Sequence, residues 1–179
     1  MDEVDDTQFD ETLFNRFCIM LGKSGLIDKY LEFARRYSAP DRPDGPGPKM
    51  KELVKTIEGH GAAAKLFSKW RVIEIGSEMI HGWRWFGKLV MKRYNAFELQ
   101  IEANNGVLSI GSNMNDIWGT ASSLVPGIQP PSGPLPFPVM AYDGDDDRLN
   151  RMMGEIVGFF DEVKDMIRRD LRDFPKGSL

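Results

Sequence analysis

Few residues in this 179-residue chain carry side chains suited to acid–base or nucleophilic chemistry near neutral pH. The chain has two histidines, His60 and His81, and a single cysteine, Cys18. Histidine is the usual general acid or base near neutrality, and a cysteine thiolate can act as a nucleophile. His60 lies between two glycines, which allow a ligand to approach the backbone, and His81 lies beside Trp83. A small enzyme that uses these histidines or carboxylates is therefore one interpretation.

Each of these residues also has a structural interpretation, which the surrounding sequence favours. The Gly-His-Gly sequence at 59–61 fits a turn between helical segments, and His81 fits a packed residue at a strand end. Cys18 lies on the apolar face of a predicted helix, where a small buried thiol packs well. The sequence shows no phosphate-binding loop, no dinucleotide glycine pattern, no G-x-S-x-G motif and no paired His/Cys metal spacing. We therefore predict no cofactor and no catalytic residue.

Three aspartates before the C-terminal helix have the spacing of a calcium loop. Asp143, Asp145 and Asp147 match its first three ligand positions. The sixth position of such a loop requires glycine, and here it is Arg148. Helix capping and the positive end of a helix dipole explain these acids without a metal ion. We therefore predict no metal site and regard Asp145, Asp146 and Asp147 as a candidate acidic partner-binding surface.

A segment of alternating residues, 83–111, predicts three antiparallel strands. Its middle strand places Phe97, Leu99, Ile101 and Ala103 on one face and Glu98, Gln100 and Glu102 on the other. Such alternation is typical of a sheet with one buried and one solvated face. The sequence therefore predicts which side of the sheet each residue faces.

The turns between these strands predict the strand register. Asn105-Gly106 is the pair favoured in type I′ hairpin turns, and a three-residue turn is predicted at 94–96. An odd-length turn there keeps the apolar residues of both strands on one face. The resulting predicted pairs are Met91 with Leu99, Leu89 with Ile101, Ile101 with Ile110, Lys88 with Glu102 and Lys92 with Glu98.

One face of the first of these strands combines basic and aromatic side chains. The segment 65–94 has a net charge of +5, and the remainder of the chain has a net charge of −9. Such a face suits an acidic partner or nucleic acid, whereas an ordinary solvated face would pair its lysines with Glu98 and Glu102. The candidate partner-binding residues on it are Arg84, Phe86, Lys88, Lys92 and Tyr94.

Hydrophobic periodicity predicts the remaining elements. Helices are predicted over 9–21, 26–37 and 49–58, further helical turns over 62–69, a helix or turn over 115–124, and a long C-terminal helix with an apolar stripe from Leu149 to Leu171. A strand over 70–75 is predicted to continue at 79–81 after a bulge at Gly76-Ser77, and a last edge strand is predicted over 137–142.

Together these elements predict an α+β fold. An antiparallel sheet of about four or five strands packs against helices and follows an N-terminal helical pair. The predicted organisation is a disordered acidic tail over 1–8, a helical hairpin over 9–39, a Pro/Gly linker over 40–48 and an α+β domain over 49–179.

Charge and composition disfavour several classes of function. The net charge is −4, which opposes bulk attraction to nucleic acid or anionic membrane. No apolar run approaches the roughly 18 residues of a membrane helix. The acidic N-terminal residues are the reverse of a secretory signal, and a single cysteine suits a reducing compartment. We therefore expect a cytoplasmic protein with no membrane partner.

The sequence favours a non-catalytic protein-binding module that masks or neutralises a macromolecular partner. Its outline is that of immunity proteins, small inhibitors and secretion chaperones, among which fold alone does not choose. An acidic surface would steer such a protein toward basic partners. Two alternatives remain, which are a small enzyme using carboxylates or histidines and nucleic-acid binding through the basic aromatic segment 65–94.

Overall fold

A computed structural model describes residues 7–38, 45–130 and 139–176. Within them, the chain forms five α-helices and a mixed, mostly antiparallel sheet of seven strands. The predicted α+β class is confirmed, although the sheet has more strands than the four or five predicted. Residues 1–6, most of the predicted linker and the first two residues of the strand predicted over 137–142 lie outside the described residues, so the predictions for them stay predictions.

The helices are α1 (Glu11–Lys23), α2 (Leu26–Arg36), α3 (Met50–Gly59), α4 (Met114–Leu124) and α5 (Asp146–Asp170). The strands are β1 (Gln8–Phe9), β2 (Ala64–Phe67), β3 (Val72–Ile80), β4 (Trp83–Met91), β5 (Ala96–Asn104), β6 (Leu108–Asn113) and β7 (Met140–Ala141). Short 3₁₀ turns, Ser68–Trp70 and Arg93–Asn95, precede β3 and β5.

The sheet is a meander with additions at its edges. Its strand order is β1-β6-β5-β4-β3-β2, and β7 pairs with the start of β5. Strands β2 to β6 pair antiparallel, whereas β1 pairs parallel with β6 through Gln8 and Leu108. The expectation of helical turns over 62–69 is wrong, because Ala64–Phe67 form edge strand β2. The predicted bulge in β3 is confirmed by a register shift between Ile75 and Glu78.

The faces predicted for β4 and β5 are confirmed, but the predicted register is wrong by two residues. Met91 lies opposite Phe97, and Leu89 lies opposite Leu99. The connecting three-residue turn occupies Arg93–Asn95 instead of 94–96. Moving a turn by one residue changes the pairing by two, which leaves every side chain on its predicted face.

The hairpin between β5 and β6 shows the same kind of displacement. Ala103, not Ile101, lies opposite Ile110. Gly106, with φ of 86°, takes the first central position of the turn, as in type II′ rather than the predicted type I′. Asn105 is the residue before Gly106, and its side-chain oxygen accepts a 2.8 Å hydrogen bond from the Leu108 N–H.

The core lies between the sheet and the helices, and α5 runs along the sheet's inner face. Phe160 of α5 is buried against Gly87, whose backbone allows this close approach. The N-terminal helical pair shares this core. The rings of Phe17 and Trp85 are 5.4 Å apart, and those of Tyr30 and Phe159 are 5.6 Å apart. The inner face of β4 therefore packs under both α1 and α5.

Candidate protein-binding surface

Two neighbouring turns at one end of the sheet carry a cluster of basic and aromatic residues. One turn joins β2 to β3 and the other joins β4 to β5, and the pairing of β3 with β4 places them side by side. The Met91 N–H donates a 3.0 Å hydrogen bond to the Arg71 carbonyl, and the Arg71 guanidinium lies 2.6 Å from the Met91 sulfur. We call this cluster the basic turn end, and its residues are Lys69, Trp70, Arg71, Lys92, Arg93 and Tyr94.

The aromatic side chains of the basic turn end are unusually exposed. Trp70 is 63% exposed and Tyr94 is 50% exposed. The Lys69 ammonium lies 4.7 Å from the centre of the Trp70 ring, which is within the range of a cation–π interaction. Tryptophan, tyrosine and arginine are the residue types enriched among interface hot spots. The composition and exposure of this cluster therefore suit a protein interface.

The backbone of both turns has a defined, uncommon shape. Arg71, Tyr94 and Asn95 have φ values of 54°, 57° and 55°, which is the left-handed region that non-glycine residues seldom adopt. Asn95 is buried, and its side-chain amide donates a 3.0 Å hydrogen bond to the Gly45 carbonyl. This hydrogen bond restrains the turn between β4 and β5, and a restrained surface loses less conformational entropy when it binds a ligand.

Arg84, Phe86 and Lys88, which the sequence predicts to bind a partner, lie on the outer face of β4. Glutamates of the neighbouring strands pair with the two cations there. Phe86 is buried between the Arg84 guanidinium, 4.8 Å from its ring centre, and the Lys88 ammonium, at 5.4 Å. Ion pairs on a partly solvated face each contribute little to stability, roughly 0.2–1 kcal/mol. The ion pairs on this face are Arg84–Glu74 at 2.5 Å, Lys88–Glu102 at 2.7 Å and Lys92–Glu98 at 3.1 Å.

The predicted acidic residues lie at the start of α5, where they stabilise the helix terminus. The Asp145 carboxylate caps the helix and accepts a 2.9 Å hydrogen bond from the Arg148 N–H. The Tyr142 hydroxyl donates a 2.7 Å hydrogen bond to Asp146, which raises the pKa of Tyr142. The Tyr142 N–H also donates to the Asn95 carbonyl at 3.0 Å. The acidic start of α5 and the basic turn end therefore lie at the same end of the molecule, in different layers.

Both histidines contact main-chain carbonyls of α5. The His60 Nε2–H donates a 2.9 Å hydrogen bond to the Asn150 carbonyl, and His81 Nε2 donates a 3.1 Å bond to the Arg168 carbonyl. Burial raises the pKa of the Cys18 thiol to about 12. A thiol with so high a pKa is a poor nucleophile at neutral pH. These contacts fit structural roles for all three residues.

A recess of 320 Å³ lies beside the basic turn end, between α2, β5 and the start of α4. Lys92 and Glu98 line it from the sheet, and Tyr30 lines it from α2. Burial raises the pKa of Tyr30, so its hydroxyl is protonated at neutral pH. The recess is large enough for a partner side chain and adds an apolar wall to this end of the molecule.

Trp70 is the residue that sequence reasoning missed. The sequence predicts that Trp70 begins a strand after a helical segment, whereas the structure places it in a 3₁₀ turn between β2 and β3. The signal was nevertheless present in the sequence, where Lys69 and Arg71 flank the tryptophan.

Comparisons of the chain with protein families, curated proteins and solved structures found no match. No helix among the described residues is long and apolar enough to span a membrane. Across the same residues, no group of three or more His, Cys, Asp or Glu side chains is arranged to hold a metal ion.

Proposed function

We propose that this protein is a non-catalytic protein-binding module that masks or neutralises a macromolecular partner. The observation that carries this proposal is the exposed Trp70, stacked with Lys69 at the basic turn end. A second turn with Arg93 and Tyr94 lies next to it and widens the surface. The partner buries Trp70 as an anchor and places acidic groups against the surrounding cations.

Charge distribution favours a protein partner over nucleic acid. The acidic start of α5 lies at the same end as the basic turn end, through the contacts of Tyr142 with Asn95 and Asp146. A nucleic-acid backbone is negative throughout and would be repelled by these acids. A protein surface can present charges of both signs in a fixed pattern. The net charge of −4 works in the same direction.

Two features support a masking role without catalysis, which are the exposed aromatic surface and the structural contacts of the histidines and the cysteine. The two histidines bind α5 carbonyls, and Cys18 is buried, so their contacts account for them without chemistry. A preordered surface with an aromatic anchor is what an inhibitor, an immunity protein or a secretion chaperone requires. We also propose a cytoplasmic location, which the single buried cysteine supports.

Affinity capture from the native source tests this proposal when a charge-reversed bait is compared with a matched control. Lys69→Glu with Arg93→Glu reverses one cation in each turn, and Lys51→Glu with Lys55→Glu makes the same charge change on exposed positions of α3. After nuclease treatment, we expect wild type and the α3 variant to retain the same protein, and the turn variant to lose it. Equal retention by all three baits would contradict the proposal. Release by nuclease would show that nucleic acid is the ligand.

Trp70→Ala tests the anchor by itself. Removing a hot-spot tryptophan should weaken binding by at least about 2 kcal/mol, or roughly 30-fold, while changing stability by no more than about 0.5 kcal/mol. Calorimetric titration with the captured protein measures the first quantity, and chemical denaturation measures the second. Met79→Ala is the control, because Met79 is 64% exposed and lies at the opposite end of β3. Equal effects of the two variants on binding would show that Trp70 is not an anchor.

A further inference from the structure

β2 forms one edge of the sheet, and its hydrogen-bond pattern shows which backbone groups point away from the sheet. The Gly76 N–H donates to the Ala63 carbonyl at 2.8 Å, which makes residues 63 and 76 a hydrogen-bonded pair. Hydrogen-bonded and non-hydrogen-bonded pairs alternate along an antiparallel ladder. Lys65 and Phe67 therefore bond to β3, and the N–H and C=O groups of Ala64 and Leu66 point outward. No described strand pairs with this side of β2.

The side chains along this edge have a definite pattern. Lys65 and Phe67 are on the outer face, and the Lys65 ammonium lies 5.0 Å from the centre of the Phe67 ring. Ala64 and Leu66 are on the inner face, where both are partly buried against the core. The strand runs directly into the turn that carries Trp70. The edge therefore combines outward backbone groups that no described strand pairs with, a lysine on its outer face and an adjacent exposed aromatic residue.

We propose that this edge accepts an extended acidic segment of the partner as an additional strand of the sheet, which rests on the function proposed above. Main-chain hydrogen bonds to Ala64 and Leu66 supply affinity in this mode of recognition, and alternate side chains supply specificity. The incoming strand carries an acidic residue beside Lys65 and apolar residues beside Leu66. It ends in an apolar or aromatic residue that packs on Trp70.

The same edge disfavours a second copy of this chain. An antiparallel pairing of two β2 strands that uses both Ala64 and Leu66 centres on Lys65, so it places Lys65 opposite Lys65. Like charges directly opposite each other destabilise a sheet, whereas opposite charges stabilise it. Lys65 therefore protects the edge against self-association and selects an acidic strand.

Amide hydrogen exchange, measured residue by residue by NMR on the wild-type protein, tests the proposal directly. The probe is a short, end-blocked peptide in which Glu alternates with Val and which ends in Trp. We expect it to slow exchange of the Ala64 and Leu66 amides by at least about tenfold, because these amides gain hydrogen bonds. The Lys65 and Phe67 amides already bond to β3 and serve as internal references. A peptide with Lys in place of Glu should leave the Ala64 and Leu66 amides exchanging fast.

A proline substitution in β2 tests whether an outward backbone N–H is needed to bind the peptide. Ala64→Pro removes an outward N–H and leaves the bonds between β2 and β3 intact, as proline in an edge strand permits. Ala64→Val keeps this N–H and is the control. We expect the proline variant to lose the Glu/Val peptide and the valine variant to bind it. If the proline variant does not fold, the exchange measurement on the wild-type protein still shows whether the peptide adds to the sheet as a strand.

The outcomes separate the binding mode from the proposed function. If wild type binds the Glu/Val peptide or its captured partner while both amides keep exchanging fast, strand addition is overturned and the binding function stands. If the Lys peptide or an oligothymidylate protects these amides as well as the Glu peptide does, selection of an acidic protein strand is overturned. If affinity capture finds no protein partner, the proposed binding function is overturned, and the strand-addition proposal that rests on it is overturned as well.

Discussion

The two faces of β4 differ in the kind of contact that their side chains make. On the inner face, Gly87 lies beneath the ring of Phe160, and an added Cβ would come within 2.3 Å of it. On the outer face, the Lys88 ammonium lies over the ring of Phe86 and forms an ion pair with Glu102 of β5. The inner contacts exclude water and depend on shape, whereas the outer contacts are polar and adjustable. The comparison indicates that substitutions on the inner face should affect folding far more than those on the outer face.

Removing the Phe160 ring should give the largest effect on stability. Phe160→Ala leaves a cavity between α5 and β4, and we expect it to lower the free energy of unfolding by about 3–5 kcal/mol. Chemical denaturation measures the change. Phe86→Ala removes the same ring from the outer face and should cost at least about 1 kcal/mol less, because the side chains around it can rearrange over the site. A loss below about 1 kcal/mol for Phe160→Ala would mean that this face of α5 is not packed on the sheet.

Adding one carbon atom at the same contact should give a smaller but still clear loss. The Cβ of Gly87→Ala would overlap the Phe160 ring, and overpacking of this kind costs about 1–3 kcal/mol. The cost should largely disappear when Phe160 is already alanine, so the double variant should be more stable than the sum of the single changes predicts. The expected coupling is about 0.5–3 kcal/mol, measured by the same denaturation experiment. Strictly additive losses would argue against direct contact.

The comparison also explains which parts of the fold could be predicted from the sequence. The faces of β4 and β5 follow from the period of two, and that period survives the displacement of a turn by one residue. The register does not follow, because the left-handed conformation of Tyr94 and Asn95 fixes the turn at 93–95. Asparagine tolerates that conformation, but Tyr94 gave no such signal.

Long-range contacts account for the other differences from the sequence-based predictions. β1 is two residues long and pairs with β6, and its residue Gln8 lies opposite Leu108, 100 positions later in the chain. The basic turn end is likewise formed by two segments that only the pairing of β3 with β4 brings together. Charge counting over 65–94 identified the basic character of this region but not the exposed position of Trp70.

The ion pair between Lys88 and Glu102 should contribute little to stability, which sharpens the contrast with Phe160. Their side chains are about 70% covered and lie 2.7 Å apart across β4 and β5. A double-mutant cycle with Lys88→Ala and Glu102→Ala should give a coupling of roughly 0.2–1 kcal/mol that decreases at high salt. Denaturation at low and high ionic strength measures it. A coupling above about 2 kcal/mol, unchanged by salt, would show that the outer face is shielded from solvent.

The smallest expected effect concerns Glu78, a residue of β3 that joins the sheet to α5. Its carboxylate accepts a 2.5 Å hydrogen bond from Arg168, which holds the pKa of Glu78 below its ordinary value, and Lys164 lies 3.6 Å away. The competing acids Asp161 and Asp165 share these cations. Because the folded-state pKa is lowered, the stabilisation is complete above the ordinary carboxyl pKa and is lost as pH falls through the folded-state value.

Glu78→Gln removes this titration and leaves a side chain of similar size. We therefore expect wild type to be slightly more stable than the variant near neutral pH, and the difference to vanish in acid. Thermal unfolding over a pH series measures the two curves. Glu11→Gln, an exposed residue in the first turn of α1, is the control for a general charge effect. A difference that persisted unchanged in acid would mean that Glu78 stabilises the α5 contact through packing and not through its charge.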